Sequence, residues 1–161
     1  MFDLRVCRAE VELRRLQEQD DVLFDLVFMD ADKRAYAAYL SSLLGEGDEG
    51  GRRLLADGAL VVTDNVLWKH LVLAEDATLE ALAPQPDSVL EGGPDLDEVK
   101  LEKQKERMRR IAAAMHKYNM FCRDHASLSP VVLPIRDGIS LCRYSARSSK
   151  KGSTLEDKLY S

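Results

Sequence analysis

The run Phe24-Asp25-Leu26-Val27-Phe28-Met29, ended abruptly by Asp30-Ala31-Asp32-Lys33, constrains this chain more than any other stretch. Phe24, Leu26 and Phe28 are apolar, and so are Val27 and Met29 on the alternate face. A half-wet strand alternates; one that is apolar on both faces reads as a central, parallel strand. Ligands in open α/β sheets sit in the crevice beyond the carboxyl ends of the strands. Two acids and a lysine at that edge make a candidate site. Gly58-Ala59-Leu60-Val61-Val62-Thr63 repeats the grammar and ends in Asp64-Asn65. If the two strands are parallel neighbours, Asp30, Asp64 and Asn65 converge. Two carboxylates and one amide oxygen, without His or Cys, form a hard-oxygen site that suits Mg²⁺ or Ca²⁺ rather than zinc. The plainer alternative is that Asp30 caps the following helix and Asp64-Asn65 opens a turn.

The rest of the chain builds an α/β fold around these two runs. Leu4-Arg5-Val6-Cys7 predicts a short strand, and Ala9 to Gln17 a helix with Val11, Leu13 and Leu16 as its apolar positions. Lys33 to Leu44 reads as a helix, because Tyr36, Tyr39, Leu40, Leu43 and Leu44 fall at three- and four-residue steps. Gly45 to Gly51 is an acidic, glycine-rich loop, and Leu54-Leu55 is expected to close a short helical segment. Residues 74–97 hold Pro84, Pro86 and Pro94 and predict a long irregular excursion. Asp97 to Asp124 is the longest predicted helix, with Met108, Ile111, Ala112, Met115, Tyr118 and Cys122 as its stripe. Pro130 to Ile135 and Ile139 to Tyr144 flank Arg136-Asp137-Gly138, a strong hairpin signal. Residues 145–161 read as a flexible tail. Strand–helix alternation predicts a partial doubly wound, mainly parallel sheet with helices on both faces, ended by an antiparallel hairpin.

Composition narrows the function classes. At 161 residues the chain is one domain, and a net charge of -5 leaves no basic footprint for nucleic acid. The charged run Glu98 to Arg110 mixes signs; Glu102, Glu106, Arg109 and Arg110 fall three and four apart, as on a solvated helix face. No apolar run is long enough to cross a bilayer, so no membrane partner is expected. Cys7, Cys122 and Cys142 are odd in number and widely spaced, which fits a reducing, cytoplasmic setting, with Cys122 and Cys142 as core thiols. Glu10 and Glu12 interrupt the arginine-bearing start, so a targeting segment is not expected.

At residue level the chain resembles the cation-dependent O-methyltransferases that use S-adenosylmethionine, of the caffeoyl-CoA and catechol O-methyltransferase type. Phe24 to Lys33 with Tyr36 and Tyr39 is similar to that family's strand and helix start, and Asp64-Asn65-Val66-Leu67-Trp68 to its second motif. Tyr118-Asn119 and Leu133-Pro134-Ile135-Arg136-Asp137-Gly138-Ile139 are similar to its late helix and hairpin. The resemblance implies that Asp30, Asp64 and Asn65 hold a divalent cation, with Mg²⁺ as the expected ion. It implies Lys33 as the general base, Asp32 near the methionine end of the cofactor and Ala9 near its adenine. Asp30, Trp68 and Lys69 would face a small hydroxyl-bearing acceptor. The chemistry agrees: a catechol-like diol can bind the cation through both oxygens, and a lysine beside a dication gives up its proton more readily.

The chain departs from the family's pattern in three places. No glycine-rich strand–turn segment precedes the first motif, so residues 1–144 read as the carboxyl-terminal portion of such a domain. Lys69-His70 stands where the family commonly has a small or amide residue followed by glycine. The 74–97 excursion is long. A sheet lacking its first strands exposes an edge. That leaves open a homodimer, or a non-catalytic role in which the edge binds a protein partner or related subunit. A phosphoryl-transfer role for Asp30 and Asp32 is weaker, because no hydroxyl residue stands beside them.

Overall fold

The computed structural model describes residues 3–46, 51–69, 71–73 and 94–146. Its elements are α1 (Ala9–Gln17), β1 (Phe24–Met29), a 3-10 turn (Lys33–Ala35) continuing into α2 (Tyr36–Leu44), and β2 (Leu55–Asp64). A second 3-10 turn (Leu71–Leu73), α3 (Pro94–Asp124), β3 (Leu128–Leu133) and β4 (Ile139–Tyr144) follow. The strands form one mixed sheet in the order β1-β2-β4-β3. β1 and β2 are parallel, as the intervening helix requires, and the hairpin adds two antiparallel pairings.

One face of this sheet carries the core. Val27 pairs with Val61, and Met29 with Thr63. Met29, Val61 and Thr63 are buried. Against them lie Tyr36, Leu40 and Leu43 of α2 and Met115 and Tyr118 of α3. The Tyr36 and Tyr118 rings meet edge to face at 5.8 Å, a geometry the ring quadrupoles favour. Tyr118 Oη and Thr63 Oγ1 share a hydrogen bond of 2.7 Å, a polar link through this apolar layer that ties helix to strand. Burial pushes the Tyr118 hydroxyl well above its ordinary range, so it stays neutral. Tyr118→Phe leaves the fully buried Thr63 hydroxyl without that partner and is expected to cost about 1–2 kcal/mol. Urea unfolding checks it; an unchanged midpoint would mean Thr63 finds another acceptor. Helix α1 leans on α2, where Gln17 Nε2 donates to the Ser42 carbonyl at 2.7 Å. Helix α2 ends at Gly45, whose φ of 79° lets the chain turn back while Glu46 N–H closes on Ser41 O at 2.9 Å.

Among the described residues no helix covers the opposite face. Phe28 pairs with Val62, Val62 with Leu141, and Leu141 with Val131, so one apolar row crosses all four strands. Phe28 is 65% exposed and Leu26 is 61% exposed. The α/β class holds, but the expected helices on both faces are not found among the described residues. β1 is likewise an edge strand there, not a central one. Its two apolar faces record what the side chains tolerate; they do not say which element covers them.

Several local expectations also change. Leu4–Cys7 is not a strand: Val6 is 94% exposed and the segment pairs with no strand. Leu54-Leu55 is extended, not helical, and both side chains are fully buried. The Leu54 N–H donates to Leu43 O and its carbonyl accepts from Phe24 N–H, both at 2.8 Å. α3 begins at Pro94, inside the stretch read as irregular, and proline suits a first helical turn because its missing N–H would be unpaired there anyway. The first hairpin strand lies at Leu128–Leu133, with Pro130 tolerated on the sheet edge. Ile135 falls in the loop. Residues 74–93 and 147–161 lie outside the described residues, and so do the excursion and tail expected there.

Candidate active site

The parallel register fixes the geometry. Met29 lies beside Thr63, so Asp30 and Asp64, each one residue further on, leave β1 and β2 side by side at the same rim. Asn65 follows directly, with φ at 63°. Its N–H donates to Asp64 Oδ1 at 2.7 Å, a local bond that steadies the left-handed turn.

Lys33 opens the 3-10 turn after β1 and reaches back three residues, its Nζ lying 3.2 Å from Asp30 Oδ1. The lysine side chain is 16% exposed and the aspartate 51%. Nζ also lies 5.8 Å from the ring centroids of both Tyr36 and Trp68, within cation–π reach of two aromatic rings. The loop carrying Asp30 is pinned by Tyr36, whose hydroxyl accepts from Ala31 N–H at 3.2 Å and donates to Met29 O at 3.3 Å. Helical spacing marked Tyr36 as a core residue; that its hydroxyl spans the strand end could not be read from spacing.

Asp32 caps the 3-10 turn, its Oδ1 accepting from Arg34 N–H at 3.1 Å. The Arg34 guanidinium adds bonds of 3.0 and 2.8 Å and, with the backbone bond, holds the Asp32 carboxyl below its ordinary range. The capping alternative thus applies to Asp32, not to Asp30.

Two cavities flank this loop. A groove of about 380 Å³ runs along β1 and α1 and is lined by Ala9, Leu13, Leu26, Phe28 and Asp30. A cleft of about 660 Å³ opens toward α3 and is lined by Asp32, Lys33, Trp68, Arg107 and Ile111 among others. Ala31 borders both. The two residues expected near the cofactor are therefore split, with Ala9 on the groove and Asp32 on the cleft. Five cationic and two acidic side chains line the cleft, which makes it positive. Lys69 is exposed with φ at 54°, and His70 lies outside the described residues.

The donor set has the chemistry of a hard-cation site: two carboxylates and an amide, with no thiol or imidazole. Among the described residues no group of three or more His, Cys, Asp and Glu could hold a metal, so Asn65 would have to complete any such set. Asn119 is a residue whose part sequence reasoning missed. Its Nδ2 donates to Val66 O at 2.8 Å across 53 residues of chain.

A profile of the O-methyltransferase family matches residues 1–145. Tricin synthase 2 from Oryza sativa subsp. japonica is 32% identical over 126 residues, which is 78% of this chain and 32% of that protein. Among solved structures, a candidate O-methyltransferase from Klebsiella pneumoniae superposes with a TM-score of 0.58 at 21% identity, covering 89% of this chain and 50% of that one. TomG from Streptomyces achromogenes, an O-methyltransferase of tomaymycin synthesis solved with SAM, gives 0.56 at 20% identity, covering 86% of this chain and 47% of that one. The chain spans about a third of the curated relative and about half of these solved relatives.

Proposed function

Because the chain belongs to the O-methyltransferase family, we propose that its residues serve methyl transfer from S-adenosylmethionine to a hydroxyl of a catechol-like or phenolic small molecule. The observation that carries this reading is the meeting of Asp30 and Asp64 at neighbouring strand ends, with Lys33 Nζ 3.2 Å from Asp30. Asp30, Asp64 and Asn65 would hold Mg²⁺ or Ca²⁺, which supplies stabilisation of the acceptor oxyanion. When bound, S-adenosylmethionine supplies the methyl group, whose bond to sulfur breaks as the bond to the acceptor oxygen forms.

Lys33 Nζ takes the hydroxyl proton. Its site suits proton transfer: a short loop fixes it, the Trp68 and Tyr36 rings confine it, and its carboxylate neighbour can turn to a cation instead. Trp68 walls the cleft in which an aromatic acceptor stacks, and the positive lining favours the phenolate over the phenol. The groove beside Ala9 takes the cofactor, and because Ala31 borders both cavities, donor and acceptor would meet at the rim beside the Asp30–Lys33 loop. Most of the rate then comes from holding the two reactants in line.

Titration separates this reading from a non-catalytic one. Mg²⁺ is expected to change the emission of Trp68, the sole tryptophan, and calorimetry is expected to show S-adenosylmethionine binding more tightly with Mg²⁺ present. A chain that binds neither would overturn the reading.

A further inference from the structure

We infer that Asn119 is a positioning residue: with Tyr118 it forms a clamp on α3 that grips the end of β2 on either side of Asp64-Asn65. The inference deepens the proposed function and rests on it. Tyr118 bonds Thr63 at 2.7 Å, and the next residue, Asn119, bonds the Val66 carbonyl at 2.8 Å. Residues 63 and 66 are thus both anchored to one turn of one helix. The two donors at 64 and 65 hang between those anchors.

The turn needs such a hold. Asn65, Trp68 and Lys69 have φ values of 63°, 40° and 54°, a region that asparagine tolerates but that costs ordinary side chains such as Trp68 and Lys69 about 1–2 kcal/mol per residue. A segment with three such residues relaxes unless its surroundings determine it. On one side the hairpin loop supplies that restraint, through Val66 N–H to Gly138 O at 3.1 Å and Leu67 N–H to Asp137 O at 2.8 Å. These bonds fix N–H groups of the turn. The Val66 carbonyl points the other way, and Val66 is fully buried, so no water replaces the Asn119 donor there. The same turn places Trp68 against Lys33. Loss of the amide therefore releases the donor pair and the indole together.

Supporting residues around metal ligands typically change metal affinity by 10- to 100-fold when removed. Asn119→Leu keeps the branched heavy-atom shape and deletes the donor; Asn119→Asp is a second variant of nearly the same size and shape. Each is expected to weaken Mg²⁺ binding about tenfold, read as the Trp68 fluorescence titration, and to shift the Trp68 emission of the metal-free protein. Leu44→Ala, in the core at the end of α2 away from the rim, serves as the stability control: it lowers the unfolding midpoint but leaves both readouts at wild-type values. A wild-type Mg²⁺ affinity and an unshifted emission in both Asn119 variants would overturn the inference. If the wild-type chain itself takes no Mg²⁺, the metal assignment fails instead. The metal-free emission then decides the clamp alone: a shift upholds it and no shift ends it.

Discussion

Asp64→Ala is expected to lower Mg²⁺-dependent methyl transfer by on the order of 10³-fold, since a bound cation contributes several kcal/mol of charge stabilisation and each 1.4 kcal/mol is tenfold in rate. The size follows from how few oxygens the rim offers. Of the two carboxylates, Asp30 already faces Lys33 at 3.2 Å, so Asp64 is the acid whose charge no salt bridge among the described residues offsets. Its Oδ1 meanwhile accepts the Asn65 N–H at 2.7 Å, which means alanine also loosens the residue carrying the third donor. Asp64→Asn separates the two effects. It preserves an acceptor for the Asn65 N–H and removes only the charge, so its Mg²⁺ affinity falls while its Trp68 emission stays near wild type. Transfer of labelled methyl to catechol, measured across a Mg²⁺ series, reads the first effect, and the fluorescence titration reads the second. An Asp64→Ala chain that keeps wild-type activity and Mg²⁺ response would remove the metal assignment altogether.

Much of this site is written in short-range sequence, and the reason is physical. A parallel strand pair joined by a helix brings both carboxyl ends to one rim, so two apolar runs ending in acids suffice to place Asp30 beside Asp64. The stripe on α3 follows from helical period alone, and Ala112, Met115, Tyr118 and Cys122 are indeed buried. Period does not say what a face meets. The exposed Phe28 and Leu26 carry the same apolar signature as the buried Met29 and the half-buried Val27, and only the arrangement of neighbouring elements tells them apart. Nor does it show where a polar tip ends up. Tyr36 and Tyr118 count as core residues in any periodic reading, yet their hydroxyls settle the Asp30 loop and the β2 end. Asn119 stands in a pair shared with a known family, but its bond to Val66 joins segments whose separation in sequence gives no local signal. Leu54-Leu55 is the converse case. A leucine pair is a good helix former, and tertiary pairing with Leu43 and Phe24 overrides that preference.

Gly138→Ala is expected to destabilise the fold by about 2–5 kcal/mol, the sum of a left-handed strain of about 1–2 and an overpacking cost of about 1–3. The residue sits at φ 83° where the hairpin loop meets the turn after β2. A Cβ there would lie 2.5 Å from Leu67 Cγ and 2.9 Å from both Leu67 Cβ and Leu67 N. A side chain tip could swing away; the Leu67 backbone cannot, because its N–H is held by Asp137 O at 2.8 Å and Gly138 O itself accepts from Val66 N–H. Leu67 is also nearly buried, which leaves its side chain little room to retreat. Set against the roughly 5–15 kcal/mol typical of a folded domain, such a loss is a large fraction of the total. A double-mutant cycle with Leu67→Ala apportions it. Leu67→Ala alone costs about 2–5 kcal/mol as a buried truncation, but it also removes the Cγ that the added methyl group would strike. The two substitutions should therefore cost less together than their sum, with the left-handed strain and the clash at Leu67 N persisting in the pair. Urea unfolding of all four proteins measures this. If Gly138→Ala falls within about 0.5 kcal/mol of wild type, the usual range for surface changes, the hairpin does not press on the turn as described, and the restraint on Asn65 and Trp68 must come from α3 alone.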